Sequence, residues 1–211
     1  MRVAERRRLS RSQSASIVVL STKDTWRTQF RDYRRSLSLD SHRARSGLIA
    51  HRALTVLDVV DAQVVHAYWP LRDRREVDTR PLIAALRGRG AEVVLPVVTS
   101  YDPDTPTLEH RRYAGPGALD TNRWGIGEPV NTERVAPGEL DLVIVPALGA
   151  AHDGHRLGHG AGYYDAFLRS VSCPRVALVY EACVVPSLPS APHDVPMTTL
   201  VTEQNVIEID D

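Results

Sequence analysis

No apolar run in this chain approaches the roughly 20 residues that a bilayer-spanning helix needs. Cysteine is scarce: Cys173 and Cys183 are the only two in 211 residues. Two cysteines make neither a disulfide framework nor a four-ligand zinc site, and both are expected to be inert small hydrophobes. Net charge is missing as well. Lys and Arg total 26, as do Asp and Glu, so nothing global draws the chain to nucleic acid or a membrane. Residues 17–20 are too short for a secretion-signal core, despite the arginines before them. No internal repeat is visible. What remains is 43% hydrophobic and 25% charged, an ordinary globular composition long enough for one sizeable core. The expectation is a cytoplasmic monomer that acts on small molecules, without nucleic-acid or membrane partners.

Residues 1–22 are basic and serine-rich, with Arg6, Arg7 and Arg8 together. They carry no repeating apolar face and are expected to be a disordered tail. Nothing aromatic interleaves with the arginines, which weakens a nucleic-acid-binding reading. Residues 23–211 then form a single domain. Trp26, Phe30, Tyr33 and Leu37 recur at helical spacing and predict a helix from Lys23. Lys23, Arg27, Arg31, Arg34 and Arg35 decorate it. Lys23 and Arg27 lie at i and i+4, so both cations project from one face and suggest an anionic partner. Ser38 and Asp40 offer caps for a second helix, with Ile49, Ala53, Val56 or Leu57, and Val60 on its buried side. Strands are expected near Val64, Val93, Leu108, Leu142, Val176 and Leu200. A helix capped by Thr79, with Pro81 in its first turn, separates the first two. Strand–helix–strand order implies parallel pairing and an α/β layered domain, whose ligands gather at the carboxyl ends of the strands.

The most informative stretch runs from Asp141 to Asp165, DLVIVPALGAAHDGHRLGHGAGYYD. A β-branched run stopped by Pro146 reads as a buried strand. A polar loop with Asp153, Gly154, His155 and Arg156 follows. Gly158, Gly160 and Gly162 alternate before Tyr163 and Tyr164 open a helix. Glycines let backbone approach a ligand, helix-start N–H groups favour phosphate, and Arg156 adds a charged fork for phosphate oxygens. Asp165 would repel phosphate directly, so it suits a divalent cation that bridges to it. His152, His155 and His159 read as solvated loop histidines. Arg72, Arg74 and Arg75 read as a solvated charged loop.

RLGHGAGYYD, from Arg156 to Asp165, resembles the RLGxGxGYYD signature of the 5-formyltetrahydrofolate cyclo-ligases, also called methenyltetrahydrofolate synthetases. Other blocks are similar in order: Lys23–Arg27, Glu76–Thr79, Trp124–Pro129, and His193–Asp194 with Val201–Glu203. The resemblance implies a three-layer α/β/α fold with a mostly parallel sheet, related to sugar-phosphate isomerase and CoA-transferase folds. It also implies ATP- and magnesium-dependent conversion of 5-formyltetrahydrofolate to 5,10-methenyltetrahydrofolate, with ADP and phosphate released. By resemblance, ATP falls to Lys23, Arg27, Arg156, Leu157, Gly158 and His159, continuing through Gly160, Ala161, Gly162, Tyr163 and Tyr164. Asp165 and Asp194 would hold magnesium. Leu71, Glu76 and Tyr163 would meet the folate, we expect Trp124 to stack on its pterin, and a polyglutamate chain attached to the folate could use Arg72, Arg74 and Arg75. Arg156 and Tyr163 would be catalytic. The chain departs from the family at Gly149, Ala150 and Ala151, where A-F-D is common; either Asp153 replaces that acid or nothing does. Cys183 stands where a Gln is common. An alternative is a relative that uses the glycine loop on a sugar phosphate or CoA ester.

Overall fold

The computed structural model describes residues 22–209. The tail expectation therefore lies outside the described residues, apart from Thr22. That residue belongs to the domain: its hydroxyl accepts from the amide of Thr25 and caps the first helix, α1 (Lys23–Ser36). Helices α2 (Leu39–Val60), α3 (Arg80–Gly88) and α4 (Tyr163–Leu168) follow. The strands, in chain order, are β1 (Val64–His66), β2 (Glu92–Ser100), β3 (Thr107–Arg112), β4 (Leu119–Thr121), β5 (Gly127–Pro129) and β6 (Leu142–Pro146). They continue with β7 (Gly149–Ala151), β8 (Arg156–Leu157), β9 (Arg175–Leu178), β10 (Val184–Val185), β11 (Thr199–Val201) and β12 (Val206–Glu208).

Seven of these strands form the central sheet, in the order β12-β11-β9-β6-β1-β2-β3. The inner pairings from β11 to β2 are parallel, and the two edge pairings are antiparallel. Helices flank the sheet, giving the α/β architecture expected from the order of elements. Parallel strands covered on both faces read as continuous apolar runs. Accordingly Leu142, Val143, Ile144 and Val145 of β6, at mid-sheet, are fully buried. Asp141 accepts from the amides of Gln63 and Val64 and ties the start of β1 to that of β6.

Three local expectations change. The segment around Arg156 is not a plain loop: β8 pairs with β7, and β7 with β10, in a small second sheet. Val60, expected to pack, is 40% exposed at the end of α2, whereas Ile49, Ala53 and Leu57 are buried. Arg34, expected on a solvated face, is 1% exposed. Its position on α1 turns it onto the carbonyl of Ala147, to which it donates.

Two buried histidines sit between the sheet and α4. His66 of β1 and His110 of β3 have ring centroids 5.0 Å apart, and Phe167 of α4 packs on both. Neither His66 nitrogen has a hydrogen-bond partner. Burial, then the charge of His110, holds the His66 imidazole well below its usual range. Burial pulls His110 down to about 4, with Glu109 a partial offset. A depressed histidine stabilises the folded state above its unfolded pKa, and that stability is lost as pH falls toward the folded value. Between pH 6.5 and about 4, His110 should therefore remove up to about 3 kcal/mol. Urea titrations across that window check this; His110→Phe should flatten the slope.

Candidate active site

A cavity of about 340 Å³ opens where the strands end at their carboxyl side. Every site residue expected from the sequence lines it. The cations come from the first turns of α1. Lys23 Nζ lies 2.5 Å from Asp194 Oδ2, and Arg27 reaches Asp24 at 2.6 Å and the carbonyl of Gly158 at 3.2 Å. The two cations expected to want an external anion are thus already paired within the chain. Farther along the helix, Arg31 donates to the carbonyl of His159, so α1 grips the glycine loop through its backbone. That grip requires glycine at 160. Its φ is +101°, and a Cβ there would come within 3.2–3.4 Å of the Arg27 guanidinium.

Arg156 projects from β8 into the wall, its side chain 4% exposed. It donates to Asp165 Oδ1 at 3.0 Å, and its Nε has no partner. Burial lowers its pKa, and the charge of Asp165 is the main offset. Asp165 stands in the first turn of the six-residue α4. Asp194 also accepts from the amide of Ala191. Burial pulls its carboxyl up, but the bonds from Lys23 and Ala191 outweigh that and leave it below the usual range. Asp165 and Asp194 thus share one cavity. Among the described residues, no group of three or more His, Cys, Asp or Glu side chains is arranged to hold a metal ion.

The other wall is aromatic and apolar. A 3-10 turn (Arg72–Arg74) is followed by Arg75 in the left-handed region, φ +50°. This brings Glu76 back to accept from the amide of Leu71 at 2.8 Å. Glu76 is 5% exposed; burial raises its pKa, while the charge of Arg34 and the Leu71 bond hold it down. Trp124 sits in the turn between β4 and β5. Asn122 Oδ1 accepts from the amides of Trp124 and Ile126, and its Nδ2 donates to Glu128, which also accepts from the amide of Val98. Trp124 and Tyr163 meet edge to face at 5.7 Å, and the Tyr163 hydroxyl donates to the carbonyl of Ser100. The Tyr164 hydroxyl is buried without a partner.

Sequence reasoning missed several lining residues: Tyr68, Pro96, Val98, Leu108, Ile126 and Glu128. The Asn-Arg-Trp-Gly run carries an Asx-turn signal, which could have revealed the rigid mounting of Trp124. Two bland readings are corrected. His159 is a half-buried cavity residue; burial, then Arg34, Arg74, Arg31 and Arg27, lowers it to about 4. Arg74 also lines the cavity. Asp153 does not stand in for the missing acid, because it lies outside the cavity in an exposed turn that receives the amide of His155. Cys183 is fully buried and burial pushes its thiol up to about 12.

Known proteins resemble this chain over most of its length. The model of the 5-formyltetrahydrofolate cyclo-ligase family matches residues 19–203. A 5-formyltetrahydrofolate cyclo-ligase of Haemophilus influenzae is 32% identical over 177 residues, 81% of this chain and 92% of that protein. One of Mycolicibacterium smegmatis is 33% identical over 155 residues, covering 70% and 77%. The solved structure of Aquifex aeolicus 5,10-methenyltetrahydrofolate synthetase superposes with a TM-score of 0.78 at 31% identity, over 90% of this chain and 93% of that one. Match length, identity and superposition together make this chain a member of the 5-formyltetrahydrofolate cyclo-ligase family.

Proposed function

We propose that this cavity closes 5-formyltetrahydrofolate to 5,10-methenyltetrahydrofolate at the expense of ATP. One observation carries the reading: the α1 cations, the glycine loop, two acids, Glu76 and Trp124 come from segments spread along the chain and line a single cavity. A sugar phosphate would leave the aromatic wall and Glu76 without a task.

In the proposed reaction the formyl oxygen attacks the γ-phosphorus, and the bond to the bridging oxygen breaks to release ADP. N10 then adds to the activated carbon, its proton leaves, and the carbon–oxygen bond breaks with phosphate as leaving group. Such chemistry asks for positioning and charge neutralisation rather than a protein nucleophile. Lys23 and Arg27 neutralise the triphosphate, and the amides from Gly158 to Gly162 cradle it. The Arg156 guanidinium, in the cavity wall, places its positive charge beside the transferring group. The Tyr163 hydroxyl has its pKa raised, by burial first. It stays protonated, and its ring keeps the two substrates in line. Glu76 accepts from pterin N–H groups with the oxygen that Leu71 leaves free.

The donor set fits magnesium, which takes one or two carboxylates and fills its octahedron with phosphate and water. Asp165 and Asp194 would hold it, and it would supply charge neutralisation at the β- and γ-phosphates. Each acid is meanwhile held by a cation, Asp165 by Arg156 and Asp194 by Lys23. Mixing purified protein with 5-formyltetrahydrofolate, ATP and magnesium and following the absorbance of the methenyl product tests the proposal. No product at any enzyme concentration would end it. Trp124→Ala should raise KM for the folate roughly tenfold, by loss of a stacking face, with KM for ATP nearly unchanged.

A further inference from the structure

Just outside the aromatic end of the cavity, against the lining residue Trp124, stands a cation that the mechanism above does not use. Arg123 lies in the turn between β4 and β5, exposed, next to Trp124. Its guanidinium carbon is 3.9 Å from the centroid of Tyr101 and 4.9 Å from that of Trp124. Tyr101 belongs to the β2–β3 connection, and its ring meets Trp124 edge to face at 4.9 Å. Among the described residues, Arg123 has no ion pair and no side-chain hydrogen bond. The cations that line the cavity differ. Lys23, Arg27 and Arg156 each hold a carboxylate beside the glycine loop. Arg74 shares its surroundings with Arg27, Arg31 and Arg34 around His159. Arg123 alone stands at the ring end, where its charge acts on Tyr163 and Tyr101.

A guanidinium that stacks by its flat face keeps its edge, and the edge carries the N–H fork that fits a carboxylate. A reduced folate supplies one. Its ring system continues through an aminobenzoyl group to a glutamyl tail with two carboxylates. With the pterin held at Glu76, which is 5% exposed, a tail directed to the opposite, aromatic end of the cavity passes Trp124 at the rim and reaches the exposed Arg123. We infer that Arg123 is a specificity-determining residue that receives the glutamyl carboxylate of the reduced folate at this rim, with Tyr101 and Trp124 fixing its orientation. The inference rests on the folate reading of the site.

The test compares 5-formyltetrahydrofolate with 5-formyltetrahydropteroate, which has the same rings and no glutamate. Arg123→Gln should raise KM for the glutamyl substrate roughly fivefold, as expected of an exposed ion pair. It should leave kcat, KM for ATP, the melting temperature and KM for the truncated substrate unchanged. Arg123→Lys should retain part of the preference. Roughly 1 M salt should shrink the wild-type preference for the glutamyl substrate. An equal rise for both substrates would mean that Arg123 only props Trp124, and no rise for either would remove its role; each overturns the inference. Absence of turnover by the wild-type protein would be a separate result and would bring down the folate reading with it.

Discussion

Arg156→Met should lower kcat/KM by roughly 100- to 1,000-fold, the range for loss of one preorganised donor at a developing charge. The side chain is almost wholly enclosed, bonds to Asp165 through one nitrogen and leaves Nε without a partner. The residue lines the cavity, where an incoming phosphoryl oxygen would meet its fixed positive charge. The gain is largest when negative charge accumulates there, so kcat should suffer more than KM for ATP. Arg156→Lys should not rescue, because an ammonium cannot bond Asp165 and a second oxygen in one plane. Removing the guanidinium also leaves Asp165 without its countercharge. Arg156→Met combined with Asp165→Asn separates the two effects: restored stability without restored turnover is the expected pattern. Steady-state rates within threefold of wild type for Arg156→Met would contradict the role.

Gly149→Ala is expected to have the largest effect on stability. A Cβ at position 149 would lie 2.1–2.5 Å from three atoms of the Phe30 ring. Phe30 is 3% exposed, on the buried face of α1. The ring cannot swing into solvent, so helix or strand must shift. Overpacking of this kind typically costs about 1–3 kcal/mol. The same helix carries Lys23 and Arg27, so ATP affinity should fall along with the melting temperature. Gly149→Ala with Phe30→Leu opens space for the methyl group and should recover much of both. Calorimetry and nucleotide titration on the single and double variants read this; an unperturbed single variant would show that β7 and α1 pack more loosely than their contact suggests.

The sequence revealed the parts of this protein governed by short-range rules. The period of Trp26, Phe30, Tyr33 and Leu37 marked α1 within a residue. The β-branched run after Asp141 marked the central strand, and glycine spacing marked the loop. Lys23, Gly160, Asp165 and Asp194, which come from three separate blocks, do line one cavity. What sequence could not disclose was partnering. Arg34 and Arg35 are one residue type side by side, yet one is buried against the Ala147 carbonyl and the other pairs with Asp32 at the surface. His159 looked like any loop histidine until four arginines gathered around it. The β7–β8 pairing was hidden because two- and three-residue strands carry almost no period. Apolar lining from Pro96, Val98 and Leu108 was read as ordinary strand interior, since a wall facing a ligand and a wall facing core have the same composition.

The bond between Lys23 and Asp194 joins positions 171 apart. Contacts of such long range form only after the intervening chain has been organised. On the ribosome, α1 emerges first and must wait for almost the whole chain before its lysine meets that aspartate. Every N-terminal fragment that stops short of Asp194 therefore lacks this partner of Lys23. Under the proposed function, ATP would act only on the finished protein, rewarding completion rather than guiding the chain toward it.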